Sequence, residues 1–410
     1  MASDEHPTDP PGMSGTTAPP SAPSARRQRT RDQVLSVLAA HGALTRTDLS
    51  RLAGLSRSAT GSVVASLLQE GFVTEETPVD TGPTTRGRPS TVVALRRRPG
   101  IVLAIDFGHA HVTAAIATTA GEVLAESSTT LDVDSQPERA LDCAAALAAE
   151  TLKKADRAAA EITGIAAGIP GPLDIGTQVV RAPTILREWI GISPAAELSR
   201  RFGQPVAIAN DADMGARGEH AFGAARSFDD FLYVKASHGI GAGLVLAGRT
   251  YQGATGIAGE IGHTRLQDAN SLCRCGNRGC LETVVSITEV RKQLAHVLSA
   301  EAPGAVADGL PSLADIASRP SAIRVLTDAG RTIGLVLADL VNCLNPAAIV
   351  LGGELSAAGQ PLAAGVRESI DRYAQPASAH ATTVLVSRLQ QRSELLGAVA
   401  TAIQQSAVAV

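Results

Sequence analysis

His263, nine further residues, and then Cys273-Arg274-Cys275-Gly276-Asn277-Arg278-Gly279-Cys280-Leu281-Glu282 form the stretch on which the reading of this chain turns. Three of the five cysteines fall within eight positions, beside a histidine. Three thiolates and one imidazole complete a tetrahedral shell and leave no open position for a water, so the pattern predicts a structural zinc held by His263, Cys273, Cys275 and Cys280. The competing readings are a disulfide plus a spare thiol, or chance clustering. Gly276 and Gly279 free the backbone to turn around an ion, and nothing in the chain suggests export, which favours the metal. Glu260 precedes His263 by three and Glu282 follows Cys280 by two, so the metal would also fix the walls of a polar pocket.

Working outward, Gly259-Glu260-Ile261-Gly262-His263 with these cysteines resembles the ROK family, a group of sugar kinases and sugar-responsive repressors. Further segments agree in order. Gly168-Ile169-Pro170-Gly171-Pro172 is similar to the family's GxPGP turn, and Asn210-Asp211-Ala212-Asp213 to its Asn-Asp-Ala-Asn catalytic segment. Gly239-Ile240-Gly241-Ala242-Gly243 resembles the second glycine loop, and Leu351-Gly352-Gly353 the strand-to-helix turn near the adenosine. The resemblance spans residues 101 to about 400 and implies an α/β, two-lobed, actin-like ATPase fold.

A length of 410 residues is too great for one compact core and suits two or three domains. Aromatic residues make up only 2% of the chain, which argues against stacked-base recognition of single strands. No run of 18 apolar residues exists and the N-terminus has no apolar signal core, so the expected location is cytoplasmic, with no membrane partner. Cys143 and Cys343 sit in apolar helical patterns and are expected in the core.

Charge is unevenly spread. Residues 1–25 carry three acids and no Lys or Arg among Pro, Ser, Thr and Gly, a composition that predicts a disordered tail. Residues 26–98 hold twelve Arg against six Asp and Glu, a basic module on an acidic body, as expected of a DNA-binding domain attached to something else. Val34, Leu35, Leu38 and Ala39 repeat at helical spacing before Gly42. Thr45-x-x-Asp48 starts a second helix that Gly54 ends; Ser56 caps a third, with Val63, Val64, Leu67 and Leu68 facing inward and Gly71 as its stop. This predicts a winged helix-turn-helix in which Arg57, Ser58, Thr60 and Ser62 enter the major groove of an operator. Strands at Phe72-Val73 and Thr91–Leu95 frame a wing, and Arg86 and Arg88 at its tip suit a narrow minor groove. The tip also resembles the Gly-Arg-Pro segment of ROK repressors; ROK kinases lack this added domain.

From residue 99 to 410 the pattern changes to short apolar strands and glycine turns. Ile101–Asp106, Val112–Ala117 and the run from Val123 are echoed by Phe231–Lys235, Gly239–Val245 and the segment to Tyr251, so an internal duplication with a cleft between halves is expected. Ser393–Gln404 reads as a helix that packs back on the first lobe. In kinases of this type the first glycine turn is Asp-x-Gly-Gly-Thr, by the resemblance. Here Asp106 and Gly108 stand, but His109 and Ala110 replace the second glycine and the threonine, and Ser237-His238 precedes Gly239 and Gly241 where the family has Gly-Thr. Bulk and a lost hydroxyl at both loops hinder phosphate binding, so this nucleotide site reads as vestigial; the alternative is that His109 or His111 binds phosphate as a cation.

The sugar side is complete. By the resemblance Asn210, Asp211, Glu260, His263 and Glu282 line the sugar pocket, and Asp211 is the general base of the kinases, here expected to be vestigial as a catalyst and kept for binding. With no Lys or Arg among these motif residues, a neutral sugar is expected. The chain therefore reads as a sugar-responsive transcriptional regulator of carbohydrate metabolism, a repressor acting as a homodimer or homotetramer. The alternative is an ATP-dependent, glucokinase-like sugar kinase with an appended DNA-binding domain.

Overall fold

A computed structural model of the chain describes residues 30–31, 33–35, 37–38, 42–76, 91–96, 100–181, 186–301 and 310–408. The tail 1–25 and the wing-tip residues Arg86 and Arg88 lie outside the described residues. The chain divides between Ala94 and Leu95 into two compact units.

The smaller unit is a helix-turn-helix with a small sheet. Val34, Leu35, Val37 and Leu38 of a helical stretch are buried, together with Leu49, Ala53, Val64, Leu67, Phe72 and Val93. Thr45 caps the helix Arg46–Leu52, its hydroxyl accepting from the Asp48 amide at 3.1 Å and donating to the Asp48 carboxylate at 2.7 Å. Ser56 caps the helix Arg57–Gln69 by accepting from the Ala59 amide at 3.2 Å. Such caps stabilise a helix by about 1 kcal/mol each. Gly54 turns the chain between these helices at φ +59°, a conformation a side chain resists. Strands β1 (Leu44–Thr45), β2 (Val73–Glu76) and β3 (Val92–Leu95) form a sheet in the order β1-β3-β2, with Leu44 opposite Val93. At two residues, β1 is too short to leave an alternating pattern in sequence. Val63 and Leu68, expected to face inward, are half-buried; Val64 and Leu67 carry the core.

The larger unit contains two five-stranded sheets. Strands β4 (Ile101–Phe107), β5 (His111–Thr118), β6 (Val123–Thr130), β7 (Ile162–Ile169) and β8 (Val206–Asn210) lie in the order β6-β5-β4-β7-β8. Strands β9 (Phe231–Ala236), β10 (Ile240–Leu246), β11 (Arg249–Tyr251), β12 (Ala348–Gly352) and β13 (Thr383–Val386) lie in the order β11-β10-β9-β12-β13. In each sheet an antiparallel meander is extended by two parallel strands, so each strand of one lobe has its counterpart in the other. The duplication expected from the glycine turns is the topology observed. All seven residues of β4 are buried, which is why it reads as an unbroken apolar run.

The helix Ser393–Val408 packs on the helix Asp211–Phe222 and on the first sheet, where Leu395, Ala398, Val399 and Ala402 meet Val102, Ala104, Ala166 and Met214. A Cβ on Gly397 would lie 1.7 Å from the Met214 carbonyl oxygen, and one on Gly218 2.1 Å from that of Ser393. Two helices approach this closely only when both present glycine. Cys343 departs from expectation. It is exposed, because in the last turn of the helix Pro320–Leu344 the inward position is held by Val341; Cys143 is half-buried.

Candidate functional site

The turns after β4, β7, β8, β9 and β12 all lie at the carboxyl ends of their strands, where open α/β sheets hold ligands. Here these ends frame a cleft. Asn210, Asp211, Glu260, His263 and Glu282 all line it, so the five residues expected of a sugar pocket are brought together from β8, the Ile261–His263 turn and the start of the helix Glu282–Val285.

The metal cluster forms one wall. The Cys275 and Cys280 sulfurs are 3.7 Å apart, the Cys273 sulfur is 3.7 Å from His263 Nδ1, and all four candidate ligand atoms lie within 4.8 Å of one another. A tetrahedral ion with metal–sulfur bonds of about 2.3 Å needs sulfur–sulfur edges of roughly 3.8 Å, so the donor set fits zinc. The Cys275 amide points at the Cys273 sulfur at 3.5 Å. Gly279, at φ +77°, is required where a Cβ would meet the Ala269 carbonyl oxygen at 2.4 Å. Burial first, then the Glu282 carboxylate, holds the Cys273 thiol well above its ordinary pKa, and a bound metal would displace that proton.

Two of the pocket carboxylates, Asp211 and Glu282, are tied by hydrogen bonds. Asp211 accepts from Lys235 Nζ at 2.6 Å and from the Ala212 amide at 2.7 Å. Glu282 accepts from the Cys273 thiol at 3.1 Å and lies 3.5 Å from Arg274 Nε. Glu260, at the lip with its side chain 37% exposed, is pushed up to about 7 by desolvation and then by the charges of Asp211 and Glu282. Asn210 spends half of its capacity on the fold: its Oδ1 caps the Ala212 amide at 2.8 Å and its Nδ2 donates to the Gly171 carbonyl at 3.0 Å. One N–H and one lone pair remain for a ligand.

Two cations were missed by the sequence reading. Lys235, at the end of β9, and Arg274, between Cys273 and Cys275, both line the pocket, so basic residues enter it from outside the five motif positions. A lone lysine in an otherwise apolar buried strand was the available signal. Burial alone would discharge Lys235, but Asp211, Glu394 and Asp106 outweigh it and hold its pKa above the ordinary value.

Beside this pocket a second cavity of about 350 Å³ runs along the first glycine turn, lined by Asp106, Gly108, His111, His238, Glu354 and Glu394 among others. The obstruction there comes chiefly from His111, one residue beyond the substituted pair. Its Nε2 is 3.0 Å from Asp106 Oδ2, and its ring lies so flat on Gly108 that a Cβ there would sit 2.1 Å from His111 Cε1. The hydrogen bond to Asp106 raises the His111 pKa. His109 turns the other way, its Nδ1 2.7 Å from Asp134 Oδ1. At the second loop, Ser237 Oγ accepts from the Glu354 amide at 3.0 Å and His238 faces Glu354 at 3.4 Å. Side chains of both loops are thus engaged with internal partners. Gly239 and Gly241 keep the backbone of the second loop open towards the first pocket.

On the smaller unit, Arg57, Ser58 and Ser62 are exposed along the first turns of the helix Arg57–Gln69. Among the described residues Arg57 has no ion-pair partner. Thr60, grouped with them from sequence, is corrected: it is 1% exposed, and its hydroxyl donates back to the Ser56 carbonyl at 3.1 Å. It stands four residues past the cap, on the stripe of Val64 and Leu67, whereas 57, 58 and 62 share the outer face. Ala65 and half-exposed Gly61 complete that face.

A ROK family model matches residues 102–405 and a MarR family model residues 30–81. Over 384 residues the chain is 28% identical to a putative xylose repressor of Caldicellulosiruptor sp. (strain Rt8B.4), covering 90% of this chain and 94% of the relative. The crystal structure of a ROK family transcriptional regulator, a homologue of Escherichia coli Mlc, superposes with a TM-score of 0.72 at 26% identity, over 93% of this chain and 98% of that one. A ROK family glucokinase from Streptomyces griseus, in complex with glucose and AMPPNP, gives 0.65 at 26% identity, over 99% of its own length and 74% of this chain. The kinase therefore leaves about a quarter of this chain unmatched, whereas the regulator leaves 7%.

Proposed function

Because the chain belongs to the ROK family, we propose that it is a sugar-responsive transcriptional repressor whose cleft binds a neutral sugar and whose winged helix binds operator DNA. The proposal divides it into a tail (1–25), a DNA-binding domain (26–98) and a sugar-binding domain (99–410). The observation that carries the reading is the joining of a helix-turn-helix to a sugar cleft whose phosphate turn is covered by the His111 ring. A regulator needs the first and has no use for the space lost in the second.

Asn210, Asp211, Glu260, His263 and Glu282 would hold the sugar hydroxyls at fixed angles. Both pocket cations are already paired, Lys235 with Asp211 and Arg274 with Glu282, which favours a neutral ligand over a phosphorylated one. Zinc at His263, Cys273, Cys275 and Cys280 would fix the loop that carries Glu282. Arg57, Ser58 and Ser62 would reach base edges, and Arg86 and Arg88 the adjacent minor groove. One recognition helix spans too little DNA for useful specificity, so the active species is at least a dimer, in the cytoplasm.

An enzyme reading has Asp211 in its favour, yet Lys235 clamps that carboxylate and both phosphate loops bond internally. Turnover of Mg-ATP with saturating D-glucose or D-xylose is expected far below the roughly 1–100 per second of kinases. Robust ATP consumption abolished by Asp211→Asn would overturn the repressor assignment.

A further inference from the structure

We infer that His109, aimed by Asp134, is a ligand-reading residue whose Nε2 forms a hydrogen bond with an effector hydroxyl seated at Gly239. The inference rests on the sugar reading above and adds to it a residue from the opposite lobe. His109 stands where kinases of this type carry a glycine, and by sequence it reads as an obstruction or as a cation for phosphate.

Three observations carry it. The first is orientation: Nδ1 lies 2.7 Å from Asp134 Oδ1, and a carboxylate accepts, so Nδ1 carries a proton and Nε2 is the ring atom left for a ligand. The second is support. Val133, next to Asp134, donates its amide to the His109 carbonyl at 3.1 Å, and its own carbonyl accepts from the fully buried Trp189 indole at 2.8 Å. The dyad is therefore anchored to the core of the first lobe.

The third is convergence. A methyl group built on Gly239 would lie 3.4 Å from Arg274 Nη2, 3.8 Å from Glu282 Oε2 and 3.9 Å from His109 Nε2. The space above Gly239 is thus surrounded by the Arg274 guanidinium, the Glu282 carboxylate and His109 Nε2, drawn from both lobes. A hydroxyl suits that space, because it donates one hydrogen bond and accepts others. A phosphate oxygen, which only accepts, would face the Glu282 charge; an ammonium, which only donates, would face the Arg274 guanidinium. The effector hydroxyl would then link His109 of one lobe to Glu282 and Arg274 of the other.

The test is titration calorimetry of the full-length, zinc-loaded protein with D-xylose, D-glucose and N-acetylglucosamine, and then with the single-deoxy analogues of whichever binds. His109→Ala should weaken binding about 5- to 10-fold, the worth of one hydrogen bond. The deoxy analogue lacking the paired hydroxyl should lose a similar factor on the unaltered protein and no further factor on His109→Ala. Gly239→Ala is a second, independent variant, since its methyl fits at ordinary contact distances yet projects into the space between the three groups; it should weaken binding while the melting temperature holds. If His109→Ala and the unaltered protein lose affinity in the same ratios for every analogue, the inference fails alone. If no sugar binds the unaltered protein, the sugar reading fails and takes the inference with it.

Discussion

Replacing Lys235 with methionine tests how the cleft is held together. The lysine side chain is 14% exposed, its Nζ is 2.6 Å from Asp211, and Glu394 and Asp106 also act on it. Methionine keeps the apolar stem and removes the charge, leaving Asp211 buried without its counter-ion. Breaking a buried pair in this way costs about 3–5 kcal/mol. At roughly 2 °C per kcal/mol for a unit of this size, the melting temperature of the larger unit should fall by about 6–10 °C at pH 7. The sign with pH follows from linkage. Lys235 has a raised folded pKa, so its contribution is complete below about 10.5, the unfolded value, and stays constant through pH 5–9 in the unaltered protein. Asp211→Asn added to Lys235→Met should restore much of the loss. Scanning calorimetry decides it: a fall below about 2 °C, or strict additivity of the two substitutions, would refute an energetically coupled pair.

Purified protein should contain one zinc per chain by elemental analysis, and Cys275→Ser should lose both the metal and the sugar response; full ligand affinity in a metal-free sample would contradict this. Arg57→Ala should relax base preference at one operator position by about 1–3 kcal/mol with little change in stability, whereas Thr60→Ala should leave base preference untouched; a binding-site selection experiment separates them. The His111 pKa is raised by Asp106, so that pair stabilises the fold fully below about 6.5 and loses its contribution as pH rises through the folded value. His111→Ala should therefore lower the melting temperature more at pH 6 than at pH 8.5, and an equal effect at both would discount the pair.

The lobes and the site were legible in sequence to different degrees. Strands β4 to β6 and β9 to β11 announced themselves because glycine turns interrupt apolar runs, and because the same arrangement occurs twice. The metal cluster was legible because its ligands sit close in sequence, so spacing stands in for geometry. Lys235 was not, since its partner Asp211 is 24 residues away and only the pairing of β8 and β9 with their own sheets brings the two together. The placement of His111 was not legible for another reason: the fold of its ring onto Gly108 is a side-chain event with no periodic trace. Thr60 shows the limit of reading a helix by its first turn. Four residues after the cap the stripe has come round to the core, and a threonine there bonds its own backbone instead of reaching outward.

The central claim is that sugar in the cleft controls DNA binding by the N-terminal domain. Its most direct test is to recover, with the full-length protein, the genomic DNA fragments it retains from its own source, and to measure anisotropy on one of them while titrating D-xylose, D-glucose and N-acetylglucosamine without ATP. One sugar should shift the DNA affinity at least several-fold, with the shift lost in Glu282→Gln and DNA binding lost in a chain lacking residues 26–98. Unchanged DNA affinity at saturating levels of a sugar that calorimetry shows to be bound, or operator binding by the truncated chain, would contradict the account.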